Sequence, residues 1–164
     1  PISGAHFNPI VSLVFWLKRM MSFKDFIAYV VMQISGAIFG CVVANIIFKL
    51  PPVTISTLVR HDFSQFLSEI LATFGLILVI FIGSEVSKQN IPVLVGSYIA
   101  SAYWFTSSTS FANPAVTVAR QFSDTFTGIS PSGVPTFIIA QIFGAILGFI
   151  FIQWLTNTVI ESDY

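Results

Sequence analysis

Charge is what this sequence has least of. Acidic and basic residues make up 9% of the chain, seven of each sign, against roughly 25% in soluble proteins. So few charges cannot clothe a water-facing surface, and their zero balance excludes the basic patch that nucleic acid requires. Cysteine is nearly absent too. Cys41 is the only one, so no internal disulfide can form, and it is read as a mid-helix packing residue that says nothing of redox compartment. One cysteine and two histidines, His6 and His61, provide no metal-ligand spacing. There is no Gly-rich phosphate loop and no nucleophile motif, so no enzyme, cofactor or metal site is expected.

What the chain does have is long apolar runs. It is 55% hydrophobic, and a bilayer core of about 30 Å needs about 20 helical residues. Phe26 to Phe48 carries no charge, and Phe63 to Ser84 carries one acid, Glu69. Ile91 to Thr106 is shorter but uncharged, as is the longer Val134 to Val159. These runs predict four spanning helices in an all-α membrane protein, with the lipid bilayer as partner.

One phrase occurs twice. Gly4-Ala5-His6-Phe7-Asn8-Pro9-Ile10-Val11 returns as Ser110-Phe111-Ala112-Asn113-Pro114-Ala115-Val116-Thr117. Behind each copy lies a second matched pair, Gln33-Ile34-Ser35-Gly36-Ala37-Ile38-Phe39-Gly40 and Gln141-Ile142-Phe143-Gly144-Ala145-Ile146-Leu147-Gly148. This is an internal duplication, and in membrane proteins such repeats place the permeation site at their interface. The glycines four apart permit close helix approach in lipid. Gln33 and Gln141 are placed to bond a neighbouring helix or re-entrant loop.

Each Asn-Pro pair reads as a helix start. Asparagine caps the first turn, and proline suits the first helical position because its missing N–H needs no partner. The helices are short, ending near Lys18-Arg19 and near Gln121-Phe122-Ser123. About ten residues reach roughly 15 Å, half a bilayer core. Two half-helices entering from opposite faces would meet near the midplane, each bringing roughly half a positive charge to the meeting point. Such a centre repels cations and hydronium. With its oxygen capping its own helix, each amide keeps an NH₂ free to donate to a passing oxygen. The plain alternative is two ordinary loop-to-helix starts in water, which would hold for a single Asn-Pro outside a membrane chain.

These residues carry a resemblance. Ser3-Gly4-Ala5-His6-Phe7-Asn8-Pro9 and Asn113-Pro114-Ala115 resemble the two signature loops of the aquaporin and glycerol-facilitator family, over essentially the whole chain. The resemblance implies an aquaporin-like inverted-repeat helical bundle: six spanning helices and two re-entrant half-helices, assembled as a homotetramer with one pore per subunit. Four of the six spanning helices are present. Residues 1–164 then form one domain, 1–49 being the remainder of the first repeat and 63–159 the second. The chain opens on Pro1, inside the first signature loop, so an N-terminal truncation is expected. A fragment lacking one wall of the pore is not expected to fold stably or conduct alone.

Three departures from the family pattern bear on function. Ile10 stands where the first motif ends in alanine, which should alter packing near the pore centre. Val116 stands where water-selective and glycerol-conducting members carry arginine, and Arg120, one turn on, reads as a helix-end or interface residue. The other constriction positions match Ser101 and Ser110, with a fourth in the missing part. A valine and two serines imply a wider aperture, less tuned to water. The stretch Tyr103 to Pro114 also resembles bacterial members associated with arsenic resistance, which implies a bacterial inner membrane and passage of glycerol, urea and neutral metalloid acids such as arsenite. His6 is implied to line the pore on the cytoplasmic side or to bond loop backbone. Glu69 is implied to bond a re-entrant loop rather than relay protons.

Basic residues flanking the spans orient the chain. Lys18, Arg19 and Lys24, with Lys88, point inside, which puts Leu50–Asp62 and Thr127–Gly133 outside and the acidic end, Glu161 to Tyr164, inside. His61 is expected to be solvated, and Trp16, Trp154 and Tyr103-Trp104 to anchor or pack. The function read from all this is a passive channel for water and small neutral solutes. The alternatives are a water-selective channel, a secondary transporter, and a non-conducting fragment.

Overall fold

The computed structural model describes residues 2–162. Side chains from residue 158 on, and with them the expected placement of the acidic end, lie outside the described residues. Six α-helices follow one another: α1 Pro9–Leu17, α2 Phe23–Ile47, α3 Phe63–Ser87, α4 Ile91–Phe105, α5 Pro114–Arg120 and α6 Val134–Ser162. A single 3₁₀ turn at Lys88–Asn90 joins α3 to α4, and no strand occurs among the described residues.

The helices start where local chemistry lets them. Ser22 opens α2 by accepting a bond from the Asp25 amide at 3.1 Å, so the helix begins at Phe23, three residues before the uncharged run. Asp62 and Gln65 close a capping box on α3, so its first turn carries no orphan donors at those positions. Three stretches are long and apolar enough to cross a membrane: Phe23–Ile47, Phe63–Phe105 and Val134–Asn157. The 43-residue middle stretch is folded back on itself at the 3₁₀ turn. The fourth expected span, α4, has 15 residues, which at 1.5 Å each is about 22 Å and short of a full bilayer core. It runs antiparallel to α3, and the Tyr98 hydroxyl donates to the Ala72 carbonyl at 2.9 Å.

In lipid, helices gain little hydrophobic energy by associating, so close packing and hydrogen bonds must hold them. The α3–α6 pair shows how. A methyl group at Gly144 would sit 2.4 Å from the Ile70 carbonyl oxygen, and one at Gly148 would sit 3.0 Å from the Ile77 side chain. Only glycine lets the backbones come this near. The matching Gly36 and Gly40 of α2 have nothing within 4 Å and are exposed. The packing role expected for both glycine pairs is therefore met only in the second repeat. α2 meets α1 and α5 through its other side and buries Asn45 alone.

The main core joins α1 to the α3–α6 pair. Ile10, Val11 and Val14 of α1 pack with Ala72, Leu76, Ile77, Ile80 and Phe81 of α3 and Ala145 and Ile152 of α6. Ile10 is 2% exposed. The bulky side chain that departs from the family pattern is thus seated in this core.

The two short helices enter from opposite ends. Lys18, at the end of α1, lies over the ring of Phe81 near the C-terminal end of α3. The end of α5 instead meets the segment that leads into the start of α3, the Ser56 amide donating to the Gln121 carbonyl at 2.9 Å. Their N-termini face each other between these ends.

Candidate functional site

The duplication extends to the backbone. Counting back from each asparagine, Gly4, Ala5 and Phe7 have φ of 71°, 51° and 48°, and Thr109, Ser110 and Ala112 have 64°, 48° and 46°. Five of these six are not glycine, and the left-handed region costs each of them about 1–2 kcal/mol. Two loops with the same three strained positions must be held by the structure around them.

Part of the hold is reciprocal. Asn8 turns its Oδ1 to its own helix and accepts from the Ile10 amide at 3.0 Å, while its Nδ2 donates to the Ala112 carbonyl at 2.8 Å. Asn113 does the same in mirror fashion. Its Oδ1 accepts from the Ala115 amide at 3.0 Å, and its Nδ2 donates to the Phe7 carbonyl at 2.9 Å. Each asparagine caps one half-helix and clasps the opposite loop. The expectation of a free NH₂ is therefore corrected: one hydrogen of each amide is already committed, and one remains.

Glu69 holds the second loop. It is fully buried and accepts four bonds. Oε1 takes the Ser108 hydroxyl at 2.6 Å and the Phe111 amide at 2.8 Å; Oε2 takes the Ala112 amide at 2.8 Å and the Gln141 Nε2 at 2.6 Å. Gln141 also donates to Thr117 on α5 at 2.9 Å. Gln33 repeats that last contact in the first repeat, donating to Ser12 of α1 at 3.1 Å. Ser12 and Thr117 each stand four residues after their asparagine.

The remaining site residues are more scattered. His6 is half-buried, its Nδ1 3.0 Å from the Ser12 hydroxyl and its ring 4.3 Å from Phe15. It bonds the half-helix side chain and not the loop backbone, and burial lowers its pKa below the usual 6.5. Ser110 is buried, with a hydroxyl that has no partner. Val116 packs on the cluster of Phe111, Ile129 and Phe137. Ser101 is exposed on α4 and turns its hydroxyl back to the Ser97 carbonyl at 2.8 Å. Asn8, Asn113 and Ser110 are thus brought together with their loops, while Ser101 lies on a separate helix.

Arg60 was hidden in the sequence. Between Val59 and His61-Asp62 it reads as a loop residue like its neighbours, yet it is 5% exposed while His61 is exposed as expected. Its guanidinium donates to the carbonyls of Gly128 at 2.8 Å, Ser108 at 3.2 Å and Phe126 at 2.8 Å. It lies 5.5 Å from the centre of the Phe111 ring, and Arg120 lies 4.3 Å from the same centre. No single-sequence signal marks such a burial, because it depends on three carbonyls supplied by two distant loops.

Comparison with known proteins places these features. A family model described as Major intrinsic protein matches residues 1–108. The aquaglyceroporin AqpS of Rhizobium meliloti is 50% identical over 155 residues, covering 94% of this chain and 66% of that protein. The glycerol uptake facilitator protein of Bacillus subtilis is 28% identical over 165 residues, covering 90% of this chain and 60% of that protein. Aquaporin AqpM of Methanothermobacter marburgensis is 25% identical over 170 residues, covering 95% and 69%. The chain therefore spans 60 to 69% of the length of these three relatives. Paired half-helices on a duplicated helical frame and the match over two thirds of the sequence lead to one assignment: the chain belongs to the major intrinsic protein family.

Proposed function

We propose that this chain forms the conducting part of a passive channel for water and small uncharged solutes. The observation that carries this reading is the reciprocal clasp of Asn8 and Asn113, which sets two helix N-termini against each other beside two half-used amide donors. Each N-terminus presents roughly half a positive charge, so a cation near both is repelled while a neutral molecule is not. The remaining N–H of each amide supplies a donor for a solute oxygen. The names of two relatives, an aquaglyceroporin and a glycerol uptake facilitator, support the same solute class.

The finer reading adds glycerol, urea and neutral metalloid acids such as arsenite, a homotetramer, and a bacterial plasma membrane. It assigns Ser101, Ser110 and Val116 to the outer constriction and His6 to the inner side. A coupled transporter would need an ion site at the midplane. Two convergent positive helix ends oppose one, and no cluster of three or more His, Cys, Asp or Glu side chains suited to a metal occurs among the described residues.

Val116→Arg tests the width of the aperture. In proteoliposomes, this substitution should suppress reswelling in polyols bulkier than glycerol while leaving osmotic water flow. Unchanged uptake of those bulkier polyols in that variant would refute the wide-aperture reading and favour a selectivity set elsewhere.

A further inference from the structure

We propose that Arg60 is a selectivity residue: a fixed positive charge, carried on the segment that connects the two repeats, which discriminates against cationic solutes at the outer mouth. The proposal rests on the channel reading above and adds to it the residue that guards this end.

Position 116, on the half-helix itself, carries no charge. Arg60 reaches the same neighbourhood from the connecting segment. That segment is tied along the outer loop, with Thr54 bonded to Phe122 at 3.1 Å, Ser56 to Gln121 at 2.9 Å and Ser130 to Leu58 at 2.7 Å. From there the guanidinium grips the Ser108 carbonyl, two residues before Ser110 and five before Asn113. All three of its bonds go to neutral carbonyls, and none goes to a carboxylate.

The nearby acid does not cancel this charge by pairing. Glu69 spends both oxygens on four donors from Ser108, Phe111, Ala112 and Gln141. Arg120, the other guanidinium on the Phe111 ring, stands at the C-terminal end of α5, where the helix dipole brings partial negative charge against it. Arg60 stands at no helix C-terminal end, and its three carbonyl partners hold the charge without neutralising it. A charge held by three bonds cannot swing away, and in a low-dielectric surround its field reaches several ångströms. Arg60 therefore acts through its field and not by touching the solute.

Paired uptake of methylammonium and glycerol by reconstituted vesicles measures this. Arg60→Gln should raise the methylammonium-to-glycerol ratio about tenfold per folded channel, and Arg60→Lys, which keeps the charge but loses the fork, should hold it near wild type. A wild-type measurement needs no variant to fold. The wild type should exclude methylammonium relative to glycerol at both about 10 mM and about 300 mM salt, because a charge this buried is screened little. A wild type that admits methylammonium as readily as glycerol, or an Arg60→Gln variant that lowers both fluxes in proportion, would make Arg60 a loop brace and overturn the proposal. Absent glycerol flux in the wild type would instead overturn the channel reading itself.

Discussion

Replacing Glu69 with leucine should release the second signature loop, and the structure sets the size of the effect. The substitution leaves the Phe111 and Ala112 amides without acceptors in a buried place. Each unpaired backbone donor costs about 1–3 kcal/mol, so the pair costs about 2–6 kcal/mol before the Ser108 hydroxyl and Gln141 amide are considered. Thr109, Ser110 and Ala112 hold left-handed backbone that costs about 1–2 kcal/mol each. The strain is tolerable only while those acceptors stay in place. At about 2–4 °C per kcal/mol for a chain of this size, Glu69→Leu should lower the unfolding temperature in detergent by about 5–20 °C. Glu69→Gln should cost about half as much. Its amide oxygen still serves one side, and Gln141 has an unpartnered Oε1 to turn toward the new NH₂. Hydrogen exchange at Phe111 and Ala112 reports the loop directly. A leucine variant that melts with the wild type and protects both amides would refute this account. A glutamine variant that stays folded but stops conducting would restore the proton-relay reading.

Other substitutions probe the frame. Asn8→Ala and Asn113→Ala each remove a cap worth about 0.5–2 kcal/mol and one half of the clasp. A double-mutant cycle on unfolding should show coupling beyond about 0.5 kcal/mol, and strict additivity would mean that the two loops are held independently. Gly144→Ala puts a methyl group against the Ile70 carbonyl and should destabilise by about 1–3 kcal/mol, whereas Gly36→Ala meets nothing and should be neutral or slightly stabilising. Equal losses at the two sites would show that α2 is as tightly packed as α6. His6 titrates in the sense set by burial. Its folded pKa lies below the usual 6.5, so its contribution is intact above that pH and is lost as pH falls toward the folded value. The unfolding temperature should hold from about pH 8 to 6.5 and then decline, and His6→Gln should flatten that decline. A flat wild-type profile would place His6 in water.

Much of this is legible in the sequence alone. Asn8-Pro9 and Asn113-Pro114 announce capped helix starts, and low charge with long apolar runs announces a bilayer protein, because both signals are local. Glu69 stood out because an acid in a spanning helix demands partners. The clasp was not legible. Its donors and acceptors lie 104 and 106 residues apart, and nothing near Asn8 says that the acceptor is Ala112. Gly36 and Gly144 share a motif yet differ in packing, since a motif permits close approach without supplying a neighbour. Arg60 looked like its solvated neighbours for the same reason. The bounds of α4 are legible, since the short uncharged run Ile91 to Thr106 forms the helix Ile91–Phe105.

The central claim is that two clasped half-helices admit neutral solutes and refuse ions. Vesicles holding the protein and a trapped pH dye should be mixed with glycerol under an imposed proton gradient. The account predicts rapid glycerol reswelling with no proton entry above empty vesicles. Proton entry that rises with glycerol flux, or reswelling no faster than in empty vesicles, would contradict it.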